Sequence, residues 1–307
     1  MKCLILGADG FLGSHLACQL LNVGFEVRAF DRFRDNKTNN LDDIKGKIEL
    51  VSGNFLNRED LIRATDKVDW VFHFISTTTP ASSSKDPIFD VTSNIVGTIN
   101  LLDICKQNQV KKIIFASSGG TIYGDQDKEK YNEIDPTLPI SPYGISKLTI
   151  ERYLQYYKIN YGLDYLILRY SNPYGLSQNK AGTQGVIPIF LNKIKIEEPI
   201  MIYGDGENVR DYIFVEDLVA LTIQLLNKEN KKFQTYNVGS GQGVSLNQLI
   251  SNIESVTGRK FNITREPARA FDVRRVVLDN DRLITEIGSF EFTPLNKGIE
   301  KLWQVMQ

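Results

Sequence analysis

Tyr143 and Lys147 stand four residues apart in SPYGISK (141–147), just inside a helix start marked by Ser141 as N-cap and Pro142 at the first helical position. Residues four apart share a helix face, so phenol and ammonium project together. An unperturbed tyrosine has a pKa near 10, too high for a base at neutral pH. A cation about 4 Å away, at an effective dielectric of about 20, contributes about 4 kcal/mol and lowers that value by roughly three units. Such a pair can remove a proton from a hydroxyl group. The plainer alternative is a surface aromatic beside a snorkelling lysine, in a chain with 13 tyrosines.

A second constellation is GADGFLG, residues 7–13, between a predicted strand and a predicted helix. Gly7 permits a tight turn, Gly10 lets a pyrophosphate approach the backbone, and Gly13 allows close helix–strand packing. The helix start adds free N–H groups and a partial positive charge. Asp31 closes the second predicted strand, where a carboxylate would bind a ribose 2′-hydroxyl and repel a 2′-phosphate. NAD is therefore expected rather than NADP, although Arg32 beside it works the other way.

These residues need a scaffold, and the first half of the chain predicts one. Apolar runs at 2–7, 26–30, 48–53, 70–74, 112–117 and 165–170 read as strands, with helical patterns at 11–22, 88–107 and 142–160. Strands without clean alternation suit a parallel sheet buried on both faces. The strand–helix alternation predicts an α/β fold, a Rossmann-type doubly wound parallel sheet, with a smaller α/β C-terminal substrate lobe. The expected division is 1–170 plus about 207–235 for the nucleotide-binding domain, and about 171–206 with 236–307 for the lobe. Segment 210–226 is expected to return to the first domain. VSLNQLISNIESVTG predicts a helix capped by Ser245 and ended by Gly258.

Composition narrows the function classes. With 307 residues, 42% hydrophobic, 24% charged and a net charge of −1, the profile is that of a soluble globular protein. No basic stripe suggests a nucleic-acid partner. No apolar run is expected to cross a membrane, and the start reads as a strand rather than a signal peptide. Cys3, Cys18 and Cys105 are widely spaced and odd in number, which points to reduced thiols and a cytoplasmic location. His15 and His73 are too few for a histidine–cysteine metal cluster, so no metal is expected.

The glycines are spaced three and three, not two and three as in the dehydrogenase fingerprint. Together with the Tyr143–Lys147 spacing, this resembles the short-chain dehydrogenase/reductase superfamily. The length and C-terminal lobe resemble its extended branch, which acts on nucleotide sugars. Counterparts of GADGFLG, HFIS, FASSGGTIYG, SPYGISK, RYSNPYG, GDGENVRDYIFVEDL and YNVGSGQGVS occur in order along the whole chain. The resemblance implies that Tyr143 is the base, with Lys147 and the positive nicotinamide lowering its pKa. It implies a Ser or Thr bonding the reacting oxygen. Counting from the strand gives Ser118, with Ser117 and Thr121 as alternatives because the run has one extra residue. Ser117 is also a candidate for a small residue satisfied by backbone.

The implied cofactor contacts are Gly7, Gly10, Phe11, Leu12, Gly13, Asp31, Asn54, Phe55 and Phe74, besides Tyr143 and Lys147. Asn54 stands where relatives mostly have an aspartate facing adenine. Implied substrate contacts, beyond Ser118 and Tyr143, are Asn172, Arg210 and Arg269 on the diphosphate of a nucleotide-diphosphate sugar, since arginine grips phosphate bidentately. Val276, seven residues after Arg269, would border the sugar's C2 substituent or else be a core valine. Arg274 departs from the family pattern without a physical account. Family dehydratases carry Thr-Asp-Glu where this chain has Ser-Ser-Gly-Gly-Thr, and related decarboxylases place a glutamate there. The expected reaction is 4-epimerisation of a UDP-hexose or UDP-N-acetylhexosamine by transient oxidation, in a homodimer. A dehydratase or decarboxylase, a lipid-linked sugar diphosphate as substrate, and a noncatalytic NAD-binding module are the alternatives.

Overall fold

The computed structural model describes residues 1–33, 40–178, 185–268 and 273–307. Six strands follow the expected runs: β1 (Lys2–Leu6), β2 (Glu26–Asp31), β3 (Glu49–Ser52), β4 (Trp70–His73), β5 (Lys112–Ser118) and β6 (Asp164–Tyr170). With Thr235–Val238 they form a seven-stranded sheet among the described residues, in the order Thr235–Val238, β6, β5, β4, β1, β2, β3. The pairs β1–β2, β2–β3, β1–β4 and β4–β5 run parallel, with Cys3 opposite both Val27 and Trp70. Burial on both faces explains the unbroken apolar runs: Cys3 to Leu6 and Ile113 to Phe115 are inaccessible to solvent. The order reverses between β1 and β4, the switch point outside which such sheets bind ligands.

Three helices position the site. Helix α1 (Phe11–Asn22) follows the glycine turn. A long helix, Pro87–Gln107, contains a π-helical turn at Val91–Val96 that the sequence periodicity does not reveal. Its length and mean hydropathy of 1.3 are enough to span a membrane, which corrects the expectation that no segment is. Half of it is buried in the fold, against helices Arg58–Thr65 and Pro142–Tyr161. The Pro142–Tyr161 helix begins at Ser141, whose hydroxyl accepts the Gly144 N–H at 3.2 Å, and ends at left-handed Gly162.

The chain divides into two compact units. The first comprises 1–122, 139–169 and 230–236; the second comprises 123–138, 170–229 and 237–307. Strand Val209–Phe214 and helix Val215–Leu226 fall in the second unit, not the first as expected. The reason is packing: the helix lies on its own preceding strand, on strand Asn172–Tyr174 and on helix Asp281–Ile287. The first core joins Leu4, Phe30, Leu101, Phe115 and Leu154; the second joins Phe190, Ile202, Phe214, Leu249 and Trp303. Helix Leu246–Thr257 has the predicted Ser245 cap, completed by Gln248, and stops at Gly258.

Candidate active site

The turn after β1 is shaped by two glycines. Gly7 has φ +83°, in the left-handed region. A Cβ on Gly13 would lie 2.1 Å from the Gly7 carbonyl oxygen, so α1 sits directly on the turn. Gly10 is the N-cap and offers no side chain to the first N–H groups of α1, which Phe11 and Leu12 begin. Those donors form a cradle open to phosphate. The Asp31 carboxylate, at the end of β2, accepts the Asp9 N–H at 3.1 Å and the Arg32 N–H at 2.7 Å. A bare glycine cradle beside a fixed carboxylate fits a dinucleotide with free ribose hydroxyls.

Asn54 is exposed, and its side-chain oxygen accepts the Leu56 N–H at 3.1 Å. Phe74 prolongs β4, its N–H donating to the Leu6 carbonyl at 3.1 Å. The Phe55 side chain is buried. Its ring is 5% exposed, packs 5.3 Å from the His73 ring and belongs to the first core. The hydrophobic effect takes that side chain inward.

Tyr143 and Lys147 do share one face, but their electrostatics differ from expectation. Burial pushes the Tyr143 phenol up to about 12, opposed by a hydrogen bond with Ser76 and reinforced by the Asp90 carboxylate. Lys147 is 6% exposed. Its ammonium lies 5.6 Å from the Tyr143 ring centre and donates to the Ala116 carbonyl at 2.9 Å. Burial brings Lys147 down to about 8, with Asp90 and Glu151 opposing. In the chain alone, desolvation leads the shift of the phenol. The Tyr143 N–H donates to Ser83 at 3.1 Å, tying the helix start to the 80–85 helix.

The three hydroxyl candidates separate clearly. Ser117 is buried and donates to Glu151 Oε1 at 2.6 Å. Glu151 in turn holds Arg169 through both its oxygens, at 3.0 and 2.7 Å. Ser117 is thus satisfied by a side chain rather than by backbone. The Thr121 hydroxyl is buried without a partner among the described residues. Ser118 ends β5 partly exposed, beside Ala116, whose carbonyl holds Lys147. It alone of the three combines access with the strand's carboxyl end. His73 is a core residue, its Nε2 paired with Thr98 at 2.8 Å and its pKa lowered to about 3 by burial and by Lys147.

In the second unit, Asn172 donates to the Asp211 carbonyl at 3.1 Å, and Arg210 is half-buried with Nη1 on the Val209 carbonyl at 2.8 Å. Val276 pairs with Arg210 in parallel register but is only 2% exposed, the burial of a core valine. Arg269 lies outside the described residues. Arg274 now has a physical account: its N–H donates to Asp125 at 2.9 Å and its Nη1 to both Asp205 oxygens at 2.8 and 3.0 Å. Sequence reasoning missed Asp211, fully buried behind Arg210. It accepts from the Ser240 hydroxyl, the Ser240 and Gly241 N–H groups and the Leu278 N–H. No local pattern marks it, since these partners lie 29 to 67 residues further along the chain.

Residues 3–239 match the family described as the NAD dependent epimerase/dehydratase family. A UDP-glucose 4-epimerase from Mycolicibacterium smegmatis is 33% identical, covering 98% of this chain and 97% of its own. A dTDP-4-dehydro-6-deoxyglucose reductase from Escherichia coli is also 33% identical, covering 97% and 95%. The crystal structure of a Thermotoga maritima UDP-glucose 4-epimerase with UDP-glucose superposes with TM-score 0.91 at 32% identity, covering 100% and 98%.

Proposed function

We propose that this chain, which belongs to the NAD-dependent epimerase/dehydratase family, is a nucleotide-sugar 4-epimerase acting on a UDP-hexose or UDP-N-acetylhexosamine. One observation carries the reading: Tyr143 and Lys147 adjoin a β5 end that brings a hydroxyl, Ser118, and no carboxylate. The buried carboxylates nearby, Asp90 and Glu151, are already engaged by hydrogen-bond donors. Eliminating water needs an acid and a base at neighbouring carbons. Oxidation and reduction at a single carbon need only a base and an oxygen ligand.

NAD, when bound, supplies the two-electron acceptor and donor for the sugar's C4–H bond. The chain's own residues do the rest. Gly7, Gly10, Gly13 and the first N–H groups of α1 hold the pyrophosphate, and Asp31 holds the ribose. Tyr143 takes the C4 hydroxyl proton, Ser118 donates to that oxygen, and the Lys147 ammonium stabilises the phenolate. Asn172, Arg210 and Arg269 grip the diphosphate, leaving the keto sugar free to turn before C4 is reduced on its other face. Exposed Ile88, Phe89 and Val96 on one helix, with Ile145 and Ile159 on the other, favour pairing of two copies through these helices. The free cysteines suit a cytoplasmic setting.

The test is a panel of UDP-, dTDP- and GDP-sugars followed by NMR with no cofactor added. Appearance of a C4 epimer supports the proposal. The reductase relative favours a second reading, in which a 4-keto sugar is consumed together with added reduced cofactor.

A further inference from the structure

Asp90 is fully buried where the long helix turns π-helical, and its side chain accepts from its own helix and from two other segments. The Ser146 hydroxyl donates to Oδ2 at 2.5 Å; the Asn94 amide donates to Oδ1 at 3.0 Å; and the Thr78 hydroxyl donates to Oδ1 as well. All three partners can donate, the arrangement that an ionised carboxylate requires. Ser146 stands between Tyr143 and Lys147 on their helix, while Thr78 belongs to the loop that brings Ser76 to the phenol. Lys147, for its part, is a buried ammonium with no carboxylate oxygen within 4.0 Å among the described residues. Its one hydrogen bond there is to a backbone carbonyl.

We infer that Asp90 is a positioning residue for the Tyr143–Lys147 pair: it locks the start of their helix to the 76–79 loop and keeps a negative charge near a buried ammonium that has no ion-pair partner among the described residues. The charged and titratable groups facing Lys147 are Asp90 from the long helix, Tyr143 and Glu151 from its own helix, and His73 from β4. Glu151 is committed to Arg169 and Ser117, and His73 is neutral through burial. Asp90 is therefore the anion whose hydrogen bonds go to neutral groups and whose field is left for the ammonium. Removing that charge favours the neutral amine, so Lys147 must lose its proton at lower pH.

The role rests on Tyr143 and Lys147 being the reacting pair, so the experiment reads Lys147 directly as well as turnover. NAD-loaded wild type and Asp90→Asn carry isotope-labelled lysine, and the ε-carbon resonance that disappears in Lys147→Arg is titrated. In Asp90→Asn that resonance should titrate at least about one pH unit lower, the effect of one charge within about 12 Å at an effective dielectric of about 20. On the alkaline side kcat should fall roughly tenfold with the protonated fraction, while KM stays within about twofold. Ser146→Ala keeps the charge but frees the helix turn, so kcat should drop several-fold with the titration in place. An unmoved Lys147 titration in Asp90→Asn overturns the electrostatic role, whatever its effect on Tm. Wild-type kcat in Ser146→Ala overturns the positioning role, and that variant decides alone if Asp90→Asn does not fold. Should wild type turn over no sugar, the epimerase reading fails while the Lys147 titration still judges Asp90.

Discussion

The Ser117 hydroxyl lies 2.6 Å from Oε1 of Glu151, so the serine before Ser118 belongs to the fold. Neighbouring serines should therefore respond oppositely. Ser117→Ala removes a donor from a buried carboxylate and should lower stability by about 1–3 kcal/mol with turnover largely retained. Ser118→Ala should keep Tm and lose about 10²–10³-fold in kcat, as a preorganised donor to a developing charge. Thermal melts beside single-substrate kinetics separate the two, and swapped phenotypes would reverse the assignment.

Tyr143→Phe deletes one hydroxyl without altering volume. Turnover should fall by roughly 10²–10⁴-fold, the usual contribution of a positioned base, with NAD content and fold kept. Steady-state kinetics on the purified variant check this; wild-type turnover would remove Tyr143 from the chemistry.

Lys147→Met exposes a conflict between stability and function. Burial brings Lys147 to about 8 from its ordinary 10.5, so the folded chain holds that proton less tightly than the unfolded chain. Where the unfolded state binds more protons, stability rises with pH, here between those two values. At neutral pH the buried charge is thus a net cost, of the order of 3 kcal/mol at most. Lys147→Met should raise Tm near neutrality while abolishing turnover. The gain in Tm should shrink as pH rises through 8 towards 10.5. A variant less stable at every pH would show that the ammonium holds the fold together.

Val276→Tyr tests sugar choice. If Val276 borders the sugar, the larger ring should suppress turnover of UDP-N-acetylglucosamine and largely spare UDP-glucose. Its burial beside Arg210 argues for the core role, in which overpacking lowers Tm by a few degrees and both sugars suffer alike. Parallel assays on the two sugars decide it.

The parallel sheet was legible because β1, β4 and β5 each carry an apolar run of three or four residues without alternation, a pattern that burial on both faces demands. The glycine turn, Asp31 and the 143–147 spacing were legible because each depends on local geometry alone. What stayed hidden depends on long-range contact. Asp90 meets Ser146 across 56 residues of chain, and Asp211 meets Leu278 across 67. Neither carboxylate carries a local mark of burial. The π-helical turn at Val91–Val96 escaped because one inserted residue barely disturbs a 3.6-residue periodicity. Segment 210–226 falls in the second unit because an apolar helix fits either core by pattern, and only packing chooses.

The most direct test of the central claim uses a UDP-sugar substrate carrying deuterium at C4, incubated with the purified protein in ordinary water. Oxidation and reduction at one carbon predict a C4 epimer that retains the deuterium at C4, with no added cofactor and no accumulation of reduced cofactor. Loss of the label to solvent, a stable 4-keto product, or turnover only with added reductant would contradict it.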